Sequence, residues 1–369
     1  MGPLATLKVV EFSGLGPAPL AGQLLADLGA EVIAIDRASV ARDPTDINRR
    51  GKRSVALNLK TEAGRQAALR LIEKADVLIE GFRPGVMEKL GLGPGDCPER
   101  LIYARMTGWG QEGPLSQTAG HDISYLALTG ALHMMGYGDR PPLPPINLAA
   151  DYGGGSMFLI FGILSALFER GVSGKGQIVD AAMVDGVPAM MGLLHSLMAK
   201  GYWTETREAN LLDGGAPFYR CYECACGGYL AVGALEPQFF AEFVRIAGLP
   251  AEECETQMDR AKWPEKRARY AELIGSKTRD QWAALFEGSD ACVAPILTTA
   301  EAAAHRHNIA RTLFGGDVLQ AAPAPRFSRS TPASFPDIRE AGADTEVILT
   351  ELGYDAGEIQ TMRKSGVLT

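Results

Sequence analysis

The chain has 369 residues, of which 46% are hydrophobic and 22% are charged, a composition that is typical of soluble globular proteins and excludes a disordered chain. This length exceeds what one compact core usually holds, so it predicts two domains or one elaborated domain. With 36 Lys and Arg against 44 Asp and Glu, the net charge is −8, which argues against a general nucleic-acid-binding protein because such proteins carry a basic surplus.

The N-terminus and the apolar segments predict neither an export signal nor a membrane span. Residues 1–4 lead directly into a strand-like stretch without a basic region followed by an apolar one. The longest apolar run, residues 157–168, has 12 residues and is too short to cross a bilayer of about 30 Å. Six cysteines in a chain this long do not form a disulfide scaffold, so we expect a reducing, cytoplasmic location.

The first 110 residues alternate between strand-like and helix-like segments. Strands are predicted at residues 8–12, 31–36, 76–80 and 101–106, and helices at residues 18–28 and 61–74. Strands that alternate with helices of this length predict a parallel, doubly wound sheet.

From His121 onward the pattern changes. Further helices are predicted at residues 122–133, 157–170, 185–199 and 344–352, a strand at 177–182, a hairpin at 218–234, charged helices within 236–285, and a strand at 290–297. The hairpin and the elements that follow it predict a separate α+β unit near residues 220–300.

The turn after the first strand partly matches a dinucleotide-binding fingerprint. Residues 14–16 provide two glycines between a strand and a helix, and Asp36 ends the next strand. However, Pro19 stands where the third glycine is expected, and Pro17 lacks the backbone N–H that would face a pyrophosphate. Arg37 adds a cation just after the second strand, where NAD-binding folds normally depend on an acidic residue that binds the ribose. The pattern therefore favours a Rossmann-like turn that does not bind NAD.

Two clusters of cysteine or histidine residues could bind a metal, but their spacing does not match that of known metal sites. Cys221, Cys224 and Cys226 lie within six residues, but no second CxxC pair accompanies them. His305 and His307 form a lone HxH in an alanine-rich stretch. We interpret the cysteines as ordinary residues of the predicted hairpin and predict no metal site.

Glycines flank ionisable residues at two predicted helix starts. His121 and Asp122 follow Gly120, and Asp151 precedes the three glycines 153–155. A helix N-terminus keeps an imidazole neutral and offers free N–H groups to an oxyanion, while glycines let a ligand approach the backbone. The pattern alone favours the simpler interpretation that the aspartates are N-caps and His121 is a surface histidine.

Residues 48–53 carry four cations in six positions. A solvated loop is the default for such a run. In a chain of net charge −8, the cluster is also suited to a polyanionic small molecule such as a nucleotide or coenzyme A.

Seven segments in this order make the chain resemble the family III CoA-transferases, and within them the α-methylacyl-CoA racemases. These segments are residues 27–33, 80–85, 106–111, 113–114, 119–123, 174–177 and 233–238. The resemblance extends over about residues 4–330.

The resemblance implies an α/β fold with a Rossmann-like large domain, a small α+β domain and an interlocked homodimer. We expect residues 1–200 to form the large, CoA-binding domain and residues 220–300 the small one. Residues 201–219 would be a linker, and residues 301–369 a linker and a C-terminal return to the large domain. The active site would lie between the large domain of one chain and the small domain of the other.

The resemblance also implies catalytic residues. Racemase members have a histidine, an aspartate and a glutamate that fall on His121, Asp151 and Glu236. Inversion at C2 of a 2-methylacyl-CoA needs a base on one face and a protonated acid on the other, which a histidine and a carboxylic acid supply without metal or cofactor. Glu236 would fix the tautomer of His121, and the N–H of Asp122 would stabilise the thioester enolate.

The remaining predicted site residues bind the substrate, of which coenzyme A is a part. Arg37, Arg83 and Lys89 are predicted to contact the phosphates, Leu57 and Leu59 to line the adenine, and Gly120 and Tyr125 to contact the substrate. Gly81 departs from the family, which often has asparagine there.

Two alternatives remain open. One is CoA transfer between an acyl-CoA and a carboxylate with Asp151 as nucleophile, and the other is a non-catalytic acyl-CoA-binding protein. The sequence does not identify the acyl chain.

Overall fold

The structure is a computed structural model that describes residues 1–37, 43–332 and 334–368. Its strands are β1 (Lys8–Phe12), β2 (Glu31–Asp36), β3 (Arg53–Ala56), β4 (Val77–Glu80), β5 (Ile102–Thr107), β6 (Ile178–Ala182), β7 (Tyr219–Glu223), β8 (Tyr229–Gly233), β9 (Val293–Ile296), β10 (Phe314–Gly315) and β11 (Gln320–Ala321). Its α-helices are α1 (Pro17–Asp27), α2 (Glu62–Lys74), α3 (Val86–Lys89), α4 (Asp122–Leu128), α5 (Phe158–Ser173), α6 (Met183–Met190), α7 (Gly192–Ala199), α8 (Pro237–Ala247), α9 (Trp263–Ile274), α10 (Arg279–Phe286), α11 (Thr299–Ala304), α12 (Arg306–Ala310), α13 (Thr345–Glu351) and α14 (Ala356–Lys364). A π-helix, Leu148–Met157, continues directly into α5.

The chain divides into two compact units. The large unit comprises Met1–Thr129, Ile146–Met190 and Thr312–Thr369, and the small unit comprises Gly130–Pro145 and Met191–Arg311. Both units are therefore built from separate stretches of chain. The small unit begins earlier than the predicted boundary at residue 220, and it includes a short segment that precedes the π-helix.

The large unit contains a six-stranded parallel sheet in the order β3-β2-β1-β4-β5-β6. The predicted parallel sheet is confirmed. All four residues of β4 and the last four of β1 are buried, as expected for strands that are covered on both faces. The strand order reverses between β1 and β4, and ligands of such folds bind beyond the carboxyl ends of the strands at this switch point.

The small unit contains a three-stranded antiparallel sheet in the order β7-β8-β9. β7 and β8 form the predicted hairpin. An aromatic core packs in this unit and includes Phe218, Phe240, Phe243, Trp263, Tyr270, Trp282 and Phe286. Stacked and edge-to-face ring contacts join these side chains, so the small unit has a hydrophobic core of its own.

Several predicted elements differ from the observed ones. The predicted helix at residues 122–133 ends with α4 at Leu128, because Gly130 has φ +81° and the chain turns there. The predicted helix at residues 185–199 is two helices, α6 and α7. Strand β3 and helix α14 were not predicted, and β3 overlaps the basic cluster.

The expectation that the basic cluster binds a polyanion is wrong, because its cations are used within the fold. Arg49 pairs with Asp36, Arg50 with Asp27, Lys52 with Glu11, and Arg53 with Glu31 and Glu351. Lys52 is 4% exposed, and its Nζ lies 2.8 and 2.7 Å from the two carboxylate oxygens of Glu11. Asp36 is likewise buried and paired, so it is not available to a ribose.

The π-helix and α5 form one apolar helical stretch, Leu148–Ser173, of 26 residues. By length and composition it could cross a membrane, whereas the sequence suggested only a run of 12 residues. Core helices of soluble proteins pass the same test. Along α5 several large apolar side chains are exposed, among them Phe161, Phe168 and Val172 at 70, 83 and 85%.

Candidate functional site

His121 occupies the N-cap position of α4. Its backbone is extended, with φ −135° and ψ 171°, and its side chain makes no capping hydrogen bond. The residue is exposed. The imidazole therefore does not cap the helix and is free to contact a ligand that enters from solvent.

Asp122 joins the start of α4 to the π-helix. Its Oδ2 accepts hydrogen bonds from the main-chain N–H groups of Ala150 and Asp151, at 2.9 and 2.8 Å. The side chain is buried, and no described group donates to its Oδ1. As the first residue of α4, Asp122 has a main-chain N–H without an intrahelical acceptor. The carboxylate thus has a structural task, while the amide remains available to a ligand.

Asp151 lies inside the π-helix and is not an N-cap, which corrects the simpler sequence interpretation. The N–H of Tyr152 bonds to the carbonyl of Asn147 at 3.3 Å, five residues back. π-helical turns are rare and frequently occur at functional sites. Here the wider turn is held at one end by the Asp122 carboxylate.

Burial raises the pKa of Asp151 above its usual range, and the nearby Asp122 carboxylate raises it further. His121 acts in the opposite direction, which shows that the imidazole lies near this carboxyl. The half-buried Asp151 therefore holds a proton to higher pH than an ordinary aspartate does. A base and a protonated acid on neighbouring elements are the two groups that proton transfer at carbon requires.

Tyr125 is clamped on the first turn of α4. A Cβ at Gly120 would lie 2.6 Å from its ring, and a Cβ at Gly108 would overlap the ring. Trp109 makes an edge contact with it, with ring centroids 4.7 Å apart. Gly120 therefore has a packing role beside the substrate contact that was predicted for it, and Gly108 and Trp109 were missed by the sequence analysis.

The environment of Tyr125 places Arg83 near the same site. Burial raises the pKa of the Tyr125 hydroxyl, Asp151 adds to the rise, and Arg83 opposes it. Arg83, in the loop after β4, and Asp151, in the π-helix, thus both act on one side chain. The structure brings together His121, Asp122, Tyr125, Asp151 and Arg83.

The three glycines 153–155 serve helix packing, which corrects the expectation of close approach by a ligand. A Cβ at Gly154 would lie 2.8 Å from Val187, and one at Gly155 would lie 3.2 Å from Pro17. A Cβ at Gly186 of α6 would overlap the carbonyl of Gly154. The glycines allow the π-helix to pack closely against α6 and the start of α1.

The predicted coenzyme contacts fall into two groups. Arg37, Arg83 and Lys89 are exposed, and within the described residues none of them forms an ion pair. Leu57 is 2% exposed and belongs to the core, whereas Leu59 packs against that core and stays partly exposed. Of the two leucines, Leu59 has the side-chain surface that a ligand can reach.

Glu236 lies in the small unit at the N-cap of α8. Its side chain is exposed and makes no capping hydrogen bond. Burial raises the pKa of Cys292, and the Glu236 charge adds to this rise, so the two residues are neighbours.

Cys292 also lines a cavity of about 510 Å³ within the small unit. Its other lining residues include Tyr137, Leu143, Leu212, Tyr219, Arg220 and Val232. The walls are mostly apolar, with two charged side chains, Asp213 and Arg220. The exposed carboxylate of Glu236 and this apolar space therefore lie in the same part of the small unit.

The described residues contain no group of three or more His, Cys, Asp or Glu side chains arranged to hold a metal ion. All six cysteines are free thiols, and Cys221 and Cys226 are exposed on the β7–β8 hairpin.

Comparison with known proteins gives one consistent result. The sequence model of CoA-transferase family III matches residues 4–333. The chain is 44% identical to the alpha-methylacyl-CoA racemase of Mus musculus and 42% identical to that of Homo sapiens, in each case over 99% of this chain and 97% of the relative. A crystal structure of a CAIB/BAIF family protein from Brucella suis has a TM-score of 0.80 at 26% identity, with 95% of this chain and 99% of that chain covered.

Proposed function

The chain belongs to CoA-transferase family III, and on that premise we propose that it is an isomerase that interconverts (R)- and (S)-2-methylacyl-CoA. Its full-length identity of 42–44% with two racemases supports this activity. The structural observation that carries the proposal is the nearness of the exposed imidazole of His121 to Asp151, whose pKa is raised.

His121 and Asp151 transfer the proton at C2. One group removes the α-proton, the electron pair of the broken C–H bond moves into the thioester as an enolate, and the other group delivers a proton to the opposite face. The two groups exchange roles with the configuration of the substrate. The raised pKa of Asp151 favours its protonated form, which is the form that delivers a proton when His121 acts as the base.

The main-chain N–H of Asp122 stabilises the enolate oxygen. It is a free amide in the first turn of α4, where the helix dipole favours negative charge. The carboxylate of the same residue holds the π-helix and therefore fixes Asp151 relative to this amide.

Glu236 orients His121 by accepting a hydrogen bond from the imidazole. Arg37, Arg83 and Lys89 contact the coenzyme phosphates, for which their exposure and their lack of ion pairs within the described residues leave them free. The cavity beside Glu236 accommodates part of the acyl chain, and its apolar walls suit a hydrocarbon.

Two chains form an interlocked homodimer in which His121 and Glu236 of one site come from different chains. The exposed apolar side chains of α5 support association, since monomers rarely expose such surface. Co-expression of His121→Ala with Glu236→Ala chains tests this arrangement. Mixed dimers regain one intact site if the sites are shared, whereas sites formed within single chains stay inactive.

The enzyme works in the cytoplasm. Six free thiols suit a reducing compartment. Fractionation of the native cells with an antibody to the chain tests this location, and recovery from an oxidising compartment would contradict it.

Incubation of one pure enantiomer of a 2-methylacyl-CoA in D2O tests the activity. We expect deuterium at C2 together with loss of chirality. If there is no exchange, but coenzyme A appears on an added carboxylic acid and hydroxylamine traps Asp151, the chain is a transferase. Tight binding with neither reaction identifies an acyl-CoA-binding protein.

A further inference from the structure

A buried arginine, Arg105, bonds to the segment that carries the exposed cations Arg83 and Lys89. Arg105, on β5, is 8% exposed. In the sheet it is the register partner of Glu80 on β4 and of Asp180 on β6. These three charged residues form a row across neighbouring strands near the carboxyl edge, where parallel sheets of this kind bind ligands.

The guanidinium of Arg105 connects several parts of that edge. Its NH1 donates to Gln111 at 2.6 Å, and its NH2 pairs with Glu88 of α3. Its Nε has no hydrogen-bond partner among the described residues and lies 3.7 Å from Glu80. Asp180 accepts a hydrogen bond from the N–H of Gln111 at 3.0 Å. The loops after β4 and β5 are therefore tied to the same row.

The segment that depends on these ties is residues 81–89. It directly follows Glu80, whose Oε2 accepts the N–H of Phe82 at 2.7 Å, and it turns at Gly85 with φ +82°. It ends in α3, which has four residues and is too short to be stable without tertiary contacts. Phe82 and Met87 pack against the core on the apolar side. On the polar side, Gln117 donates to the carbonyl of Pro84 at 3.2 Å, and Arg105 holds the end of the segment through Glu88.

We propose that Arg105 is a positioning residue for coenzyme A, because its bridge from the strand edge to Glu88 and Gln111 holds residues 81–89 so that Arg83 and Lys89 meet the phosphates. This inference rests on the proposed function. Arg105 does not touch the reacting atoms. Its effect is transmitted through residues 81–89 and is specific to the nucleotide part of the substrate.

Two thioesters with the same 2-methylacyl group test the inference, one of coenzyme A and one of pantetheine, which lacks the nucleotide. For Arg105→Met we expect a KM about tenfold higher with the CoA thioester, a kcat within about twofold, and unchanged kcat/KM with the pantetheine thioester. Arg105→Lys keeps the charge but cannot bridge both partners, so its KM should be intermediate. Equal losses with both thioesters would overturn the proposal, because a general structural defect acts on both.

Binding of coenzyme A itself provides a second readout by titration calorimetry. In an Arg83→Ala, Lys89→Ala background, Arg105→Met should weaken binding no further, because it acts through those two residues. Additive losses would contradict this route. If the wild-type chain binds coenzyme A but does not racemise, the proposed activity fails while the positioning role is still measured; if it does not bind coenzyme A, both fail.

Glu88→Gln is the variant to use if Arg105→Met does not fold. The Glu88 side chain is 46% exposed, so its neutralisation leaves the core intact. It weakens the same bridge, because the amide oxygen still accepts a hydrogen bond but carries no charge. We therefore expect a smaller rise in KM, about threefold, for the CoA thioester alone. Glu62→Gln is the matched control, because that carboxylate pairs with Arg65 on the exposed face of α2. An unchanged KM in Glu88→Gln beside the control would contradict the proposal.

Discussion

Two charged regions of the large unit use their charges in opposite ways. In the basic cluster, Lys52 is buried against Glu11, and its neighbours pair with other carboxylates. Asp151 is also withdrawn from water, but the charge beside it is a second carboxylate, and no Arg or Lys of the described residues pairs with it. Burial shifts both kinds of group: it raises the pKa of Glu11 and lowers that of Lys52 as well. The difference is that Glu11 and Lys52 are bonded to each other, so removing one leaves the other buried alone, whereas Asp151 has no Arg or Lys partner among the described residues and is available for chemistry.

The first test, with the largest expected effect, replaces the two proposed catalytic side chains. Asp151→Asn and His121→Ala should each lower kcat by about 10²–10⁴-fold, the usual contribution of a general acid or base. The free energy of unfolding should stay within about 0.5 kcal/mol of wild type, because neither side chain stabilises an ion pair. Steady-state kinetics and urea unfolding measure the two effects. A large loss of stability would show that the site is structural.

The second test removes a partner from the buried Lys52–Glu11 pair, where we expect a loss of stability. Lys52→Met leaves the Glu11 carboxylate buried without its partner and should lower the free energy of unfolding by about 3–5 kcal/mol. Arg53→Met is the matched control, since its ion pairs are exposed and worth under about 1 kcal/mol. Urea unfolding compares the two. Equal stabilities would contradict a structural role for the buried pair.

The third test concerns Glu80, a buried carboxyl that has an arginine nearby and yet has a raised pKa. Burial raises its pKa to about 7 from a usual 4.5, with Glu88 and Asp180 adding to the rise while Arg105 and the Phe82 N–H oppose it. The folded chain therefore binds this proton more tightly than the unfolded chain, and the resulting stabilisation is lost as the pH rises from 4.5 through 7.

Glu80→Gln keeps a hydrogen-bond acceptor and removes this titration. Relative to the variant, the wild type should lose roughly 3 kcal/mol of unfolding free energy between pH 4 and pH 8. Urea unfolding at several pH values measures the difference. A difference that does not change with pH would contradict the raised pKa of Glu80.

The smallest expected effect compares the exposed Arg83, which forms no ion pair within the described residues, with the half-buried Arg53, which has two partners. Arg83→Ala should weaken binding of coenzyme A about tenfold, or 1.4 kcal/mol, and reduce the dependence of affinity on salt. Arg53→Ala should leave both unchanged, because Arg53 pairs with Glu31 and Glu351 at another edge of the sheet. Titration calorimetry at two salt concentrations distinguishes them.

The parallel sheet was predictable because its strands are short apolar runs that alternate with helices. Strand β3 was not, because Lys52 and Arg53 read as a solvated loop until their partners, which are distant in sequence, are known. Pairing of this kind is a tertiary property and leaves no local pattern. The same limit explains why the cluster at residues 48–53 suggested an anion site.

The candidate site was suggested by the family resemblance and not by its residue pattern alone, and its geometry was not predictable from either. His121 stands at a helix start as expected. The π-helix around Asp151 depends on the carboxylate of Asp122, 29 residues earlier in the chain. The glycines 153–155 suggested a ligand, and only the position of α6 shows that they are needed for packing.

The central claim is that His121 and Asp151 act on opposite faces of C2, and the stereochemistry of exchange tests it most directly. Each enantiomer of a 2-methylacyl-CoA is incubated in D2O with His121→Ala and with Asp151→Asn, and deuterium at C2 is measured by mass spectrometry. We predict that inversion is strongly reduced in both variants, in line with their loss of kcat, and that each retains exchange with one enantiomer only, the two variants having opposite preferences. Inversion at the wild-type rate in either variant would contradict the claim.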